Sequence, residues 1–366
     1  MEKTATFILP CVFDYPAGGP KVIYEYSNRL IEHGWTVNIV YHIHKPTLKS
    51  FKRKKFLIPA IDFVKTLLKK KRGALSGKNW FKLNHKVTEL FLMNLEEKNL
   101  PKSSIFIATG INTAKYVRDL QISDSRKFYL IQGFENWDGI SDENVIETYH
   151  YPLTKFVISK GLKSILDNER LDGIYLPNGF DFEYFQLHQP IEQRDKYSIA
   201  MMYHISDLKG ISECFAALEI VRKIFPQITL NMFGAYPLNF RPPKWITYIQ
   251  NPNKKQHNDI YNNSSIFINA SRSEGWGLTI GEAMICGCAV ACTDNNGFRE
   301  MVKDRETGLL SPVCDINSLA NNIIYLIEND ERRIEIAKYG NEAIKEFSWD
   351  KSYKILEQAF NRVIVL

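Results

Sequence analysis

Two carboxylates, three glycines and the start of a helix fall within the fourteen residues Ser271-Arg272-Ser273-Glu274-Gly275-Trp276-Gly277-Leu278-Thr279-Ile280-Gly281-Glu282-Ala283-Met284. Gly275 and Gly277 let the backbone meet a ligand with no Cβ in the way. A helix starting at Leu278 or Thr279 turns its free N–H groups and positive dipole end back toward that loop, which suits a diphosphate. Glu274 lies just before the helix and Glu282 in its early turns. Carboxylates repel phosphate, so their better partners are hydroxyls of a sugar and of a ribose. Amides for phosphate beside acids for hydroxyls are what a sugar nucleotide requires. Either acid alone is explained as well by a turn or a helix-stabilising glutamate; spacing and context together favour a site.

The run follows the buried-strand pattern Ile266-Phe267-Ile268-Asn269, where the carboxyl end of a strand opens into a ligand crevice. Around it, strands are predicted near 198–203, 229–233, 245–249, 265–269 and 289–293, with helices near 211–224, 257–262 and 279–286. The first half alternates in the same way. A strand over 6–13 leads through the turn chemistry of residues 14–20 into a helix with the stripe Val22, Ile23, Tyr26, Leu30 and Ile31. Gly34 closes that helix before a β-branched strand at Thr36–Tyr41, completing a βαβ unit. Further strands are expected at 104–108, 127–132, 156–159 and 173–176. The predicted fold class is α/β, with two Rossmann-like domains facing across a deep interdomain cleft. Residues 1–180 form the first domain, 181–196 a linker and 197–349 the second, with a C-terminal helix of about 350–366 packing back on the first.

Composition sets the bounds. The chain has 366 residues, 45% hydrophobic and 24% charged, with a mean hydropathy of −0.25, as expected of a globular protein with two cores. No apolar run reaches the roughly 18 residues of a membrane span. Thr4 to Phe13 lacks a basic leader and a cleavage site, so a cytoplasmic location is expected. Six cysteines, three of them spaced C-x-C-x3-C, complete no zinc-ligand set, and no Asp-x-Asp metal motif stands in a suitable context. No metal is therefore expected. The net charge of +6 is concentrated: residues 45–86 hold fourteen Lys or Arg against the single acid Asp62. Ile58, Ile61, Val64, Leu67 and Leu68 beside those lysines make either an amphipathic helix on anionic lipid or a stripe packed on the sheet with solvated lysines. With few interleaved aromatics, nucleic acid is not expected as a partner.

Glu274-x7-Glu282 inside E-G-W-G-L-T-I-G-E-A-M, followed by C-G-C-A-V and Asn295-Asn296-Gly297-Phe298-Arg299-Glu300, resembles retaining glycosyltransferase family four, of the bacterial surface-polysaccharide type. The resemblance continues at Glu306-Thr307-Gly308-Leu309-Leu310, Asp315, Ala17-Gly18-Gly19-Pro20, His33-Gly34-Trp35-Thr36-Val37, Pro177-Asn178-Gly179-Phe180-Asp181 and Lys209-Gly210, so it spans nearly the whole chain. It implies the GT-B fold, with the donor bound mainly by the second domain and the acceptor by the first. It implies that Glu274 contacts the transferred sugar and Glu282 the ribose. Amides of Gly275, Trp276, Gly277, Leu278 and Thr279 would hold phosphate or sugar. Lys209 would neutralise the diphosphate, which Gly18 and Gly19 would also approach.

Two positions depart from the family pattern. His204 stands where an Arg is common, shifting leaving-group stabilisation toward Lys209, the helix amides or Arg272. Gln132 stands where many members have a histidine; it can hydrogen-bond but cannot act as a base, and Glu135 is the candidate substitute, or else a solvated loop acid. The resemblance implies front-face displacement without metal or further cofactor. Such transfer moves a hexose or deoxyhexose from a nucleotide-diphosphate sugar to a glycan or lipid-linked glycan at the inner face of the membrane. The rival readings are another GT-B enzyme, such as a phosphorylase or epimerase, and a catalytically silent GT-B subunit that binds a partner or membrane.

Overall fold

The computed structural model describes residues 2–13, 16–43, 80–137 and 139–364. The chain divides into two compact units, one of residues 1–158, 162–177 and 350–366 and one of 159–161 and 178–349. The basic helix expected over 57–68 lies outside the described residues; of the basic run, Lys82 and Lys86 are described and exposed.

In chain order, the first half carries β1 (Thr4–Leu9), α1 (Gly18–Glu32), β2 (Thr36–His42), β3 (Thr88–Leu92), β4 (Ile105–Ala108) and α2 (Ile111–Arg118). It continues with β5 (Lys127–Ile131), α3 (Asp142–Tyr149), β6 (Thr154–Val157), α4 (Lys160–Asn168) and β7 (Ile174–Tyr175). All pairings in the sheet are parallel, in the order β3-β2-β1-β4-β5-β6-β7. Parallel strands covered on both faces read as continuous apolar runs, and β4 and β5 are buried along their whole length. The sheet grows one way from β1 through β2 and the other way from β4, so its switch point lies between β1 and β4.

The second half carries β8 (Ser198–Met202), α5 (Ile211–Ile224), β9 (Thr229–Gly234), β10 (Ile246–Gln250), α6 (Lys254–Asn262), β11 (Ile266–Asn269) and α7 (Leu278–Ile285). After these come β12 (Ala289–Thr293), β13 (Leu309–Ser311), α8 (Ile316–Glu328), α9 (Asp330–Ala343) and α10 (Trp349–Ile364). The order β10-β9-β8-β11-β12-β13 is again all parallel, with its switch point between β8 and β11. In α10, Phe360 packs against Trp35 (5.5 Å between ring centroids), Phe128 (5.0 Å) and Phe156 (6.2 Å), which anchors the C-terminal helix in the core of the first unit.

Two features differ from the sequence expectation. β3 is an edge strand with no fully buried residue, so no apolar run announces it. Residues 181–196, expected as a linker, belong to the second unit. Phe185 and Ile191 are buried, and the Arg194 guanidinium donates to the carbonyls of Gln189 (2.8 Å), Ser264 (3.1 Å) and Cys286 (2.5 Å). An aperiodic segment is held here by hydrogen bonds that periodicity does not register. Among the described residues no helix is long and apolar enough to cross a membrane. Cys286, Cys288 and Cys292 are free and buried, and burial pushes their thiols up.

Candidate functional site

The loop between β11 and α7 is shaped by its neighbours. Gly277 caps α7 at φ +100°, and a Cβ there would lie 2.6 Å from the Phe298 ring, so only glycine fits. The Trp276 ring is buried against Phe180 (6.5 Å) and Phe347 (5.2 Å), which leaves the backbone of the loop as its ligand-facing chemistry. Asn295 ties the loops after β11 and β12 together. Its Oδ1 accepts from the amides of Gly297 and Phe298 (3.1 Å each), and its Nδ2 donates to the Ser271 carbonyl at 3.0 Å. The first-turn amides of α7, from Leu278 and Thr279, have no helical acceptor by geometry and point toward this loop.

The charged groups converge on the same loop. Lys209, in the turn after β8, donates to Glu274 Oε1 at 2.6 Å; their side chains are 27% and 14% exposed, so this pair is partly shielded from water. His204 Nδ1 accepts from the Ser206 amide at 3.0 Å, which places the ring proton of the neutral form on Nε2. Burial and the nearby Lys209 charge lower the His204 pKa, so at neutral pH the ring is an uncharged donor. Glu282 is buried on α7 and accepts from the Tyr261 hydroxyl at 3.3 Å. Burial and the Glu282 charge hold that phenol well above its ordinary pKa. Arg272, weighed as a substitute cation for the diphosphate, is engaged elsewhere: Nε (2.8 Å) and Nη2 (2.5 Å) both donate to Glu213.

The remaining candidates assemble in the first unit. Gly18 and Gly19 open α1, and a Cβ on Gly19 would lie 3.6–3.9 Å from the Gln132 carboxamide, which therefore lies against that turn. Glu135 Oε2 accepts from the Ile111 amide at 2.8 Å, at the start of α2. It is thus no solvated loop acid. Burial outweighs that hydrogen bond and pushes its pKa up to about 7. A Cβ on Gly110 would sit 3.4 Å from both Glu135 and Pro10, so the loops after β1, β4 and β5 meet at the sheet's switch point.

Two residues escaped the sequence reading, Tyr261 behind Glu282 and Glu213 behind Arg272, while Asn295 was read as part of a motif without its role between the loops. Tyr261 and Glu213 lie 21 and 59 residues from their partners, so no local motif links them. The Asn-Asn-Gly run was a usable signal for Asn295.

Comparison with known proteins fits this geometry. Residues 185–343 match the family model described as glycosyl transferases group 1. The chain is 24% identical to the phosphatidyl-myo-inositol mannosyltransferase of Mycobacterium tuberculosis over 49% of its own length and 51% of the relative's. It is 29% identical to the O-antigen chain mannosyltransferase B of Escherichia coli over 59% of its own length and 58% of the relative's. The chain thus spans about half the length of these curated relatives. The Anabaena protein HepE, solved in complex with UDP and glucose, shares the fold over 99% of this chain and 100% of its own, with a TM-score of 0.71 at 14% identity. The chain has the GT-B fold, and its match to the glycosyl transferases group 1 model covers residues 185–343.

Proposed function

We propose that the protein is a retaining, metal-independent glycosyltransferase, moving a hexose or deoxyhexose from a nucleotide-diphosphate sugar to a glycan or lipid-linked glycan in surface-polysaccharide synthesis. The observation that carries this reading is the Lys209–Glu274 pair beside the N-terminus of α7, with buried Glu282 four residues into that helix. Glu282 orients toward ribose hydroxyls, Glu274 toward the transferred sugar, and the α7 amides with Lys209 and His204 Nε2 receive the charge that grows on the departing diphosphate. Front-face displacement needs positioning and charge stabilisation more than a strong base, which suits Gln132 at the acceptor position. The relatives named as mannosyltransferases of phosphatidyl-myo-inositol and of an O-antigen chain, and the UDP and glucose bound by HepE, support the donor and acceptor classes.

A melting-temperature screen against nucleoside diphosphates and nucleotide sugars, with wild type and Glu282→Ala, tests the donor site. A ligand-specific rise that the variant loses supports it; no rise with any nucleotide favours a silent GT-B subunit instead. Activity retained in chelator is the expected sign of metal independence. The protein is further proposed to work in the cytoplasm, with residues 45–86 resting on the anionic inner face of the membrane. Sedimentation with phosphatidylglycerol vesicles, weakening with salt, checks this.

A further inference from the structure

Lys209 and Glu274, the groups that meet the diphosphate and the sugar in the reading above, are bonded to each other at 2.6 Å and in partial shelter from water. This has different consequences for two ligands. A bare nucleoside diphosphate must either draw Lys209 away, leaving the Glu274 carboxylate without its cation beside two anionic phosphates, or bind next to a cation already neutralised. Both are unfavourable, and shielding from solvent enlarges the effect. A sugar nucleotide brings hydroxyls that donate to Glu274 while its phosphates take Lys209. The carboxylate exchanges its ammonium partner for hydrogen bonds and is never left unpaired.

The surroundings reinforce this. The other nearby cation, Arg272, is held by Glu213, and His204 is uncharged at neutral pH, so no second free cation beside Lys209 compensates a bare diphosphate among these groups. The main chain of Glu274 is held in place: a Cβ on Gly297 would lie 2.7 Å from the Glu274 carbonyl, so the loop after β12 packs directly on Glu274. Resting on the donor-site assignment, we infer that Glu274 makes the site select the sugar-bearing nucleotide over the bare nucleoside diphosphate, and so speeds release of the product left after transfer.

The test is isothermal titration of wild type and Glu274→Gln with UDP, GDP, ADP and dTDP, and with the glucose or mannose conjugate of each. Glutamine keeps the shape and removes the charge. The expected result is that the best-bound bare diphosphate gains about tenfold in affinity in the variant. Its sugar conjugate gains nothing or weakens, so the preference for the conjugate collapses. Product inhibition of donor hydrolysis strengthens in parallel. Unchanged or weaker binding of the bare diphosphate by Glu274→Gln overturns the inference. Glu282→Ala separates the two levels. If it abolishes nucleotide binding while Glu274→Gln fails to tighten the diphosphate, the donor site stands and only the selection by Glu274 falls. If no nucleotide binds the wild type, both fall.

Discussion

The two units wind the same way, each a parallel sheet whose order reverses beside its first strand, yet the crevices at the two switch points carry different chemistry. In the second unit the loops after β8 and β11 bring together an ammonium, two carboxylates and the amides of a helix start. In the first, the loops after β1, β4 and β5 bring together a carboxamide and a half-buried carboxyl that already occupies the amide of Ile111 at the start of α2. One crevice is equipped to receive negative charge. The other is equipped to hydrogen-bond a neutral group. The fold supplies a crevice, and the residues on its loops decide what it can hold.

The sharpest way to break this contrast is to remove one polar group from each side. Lys209→Ala takes away the cation proposed for the leaving group and strands Glu274 without its partner. A fall in kcat of about 10²–10³-fold is expected, the scale of losing one preorganised charge-stabilising donor. Gln132→Ala removes the carboxamide proposed to hydrogen-bond a neutral group and is expected to cost about tenfold. Steady-state donor turnover on both variants decides it; a larger loss at Gln132 would reverse the division of labour.

The glycines give a second contrast. Gly277 has φ +100° and the Phe298 ring 2.6 Å from its missing Cβ, whereas Gly19 would meet Gln132 at 3.6 Å or more, an ordinary contact. Gly277→Ala is therefore expected to lower unfolding stability by about 2–3 kcal/mol, and Gly19→Ala by less than about 1 kcal/mol. Urea denaturation of the two variants gives the comparison directly. Equal costs would mean that the backbone of the donor loop is not the constrained element it is taken to be.

How much of this was legible in sequence follows the distance between partners. Glu274, Gly277 and Glu282 stand within one turn and one helix, so their pattern is visible in a single line of residues. Lys209 was assigned through the Lys209-Gly210 motif, although its partner lies 65 residues away. Tyr261 and Glu213 have no such local mark, and only the folded sheet brings them to Glu282 and Arg272. Strands buried on both faces announced themselves as apolar runs; the exposed edge strand β3 and the hydrogen-bonded segment around Arg194 did not. Glu135 was visible as a loop acid, but its burial depends on loops from three strands.

That burial gives the first crevice a pH dependence through Glu135. Glu135, raised from 4.5 to about 7, favours its protonated form in the folded state. The stability it contributes is fully present below pH 4.5 and is lost as pH rises through about 7. The span is at most about 3 kcal/mol. Glu135→Gln keeps an acceptor for the Ile111 amide and removes the titration. Relative to wild type, the variant should gain stability between pH 5 and pH 8, read from denaturation midpoints across that range. An identical pH dependence in the two proteins would mean that Glu135 is solvated.

The smallest effect expected is at Arg272, and it bears on what makes a cation useful in the second crevice. Arg272 lies two residues before Glu274, and its sequence position makes it an alternative diphosphate partner to Lys209 if it can reach. Its guanidinium is partly exposed and spends both Nε and Nη2 on Glu213, a carboxylate with no sugar-binding position to exchange into. Lys209 has Glu274, which a sugar can relieve of its partner; Arg272 has no such exchange. Arg272→Ala should therefore change nucleotide-sugar affinity by no more than about threefold, as expected of a cation whose partner is Glu213 and not the ligand. Titration at low and high salt checks it. A loss comparable to that of Lys209→Ala would show Arg272 leaving Glu213 for the phosphates, and would make the crevice a two-cation site rather than one built on a single exchangeable pair.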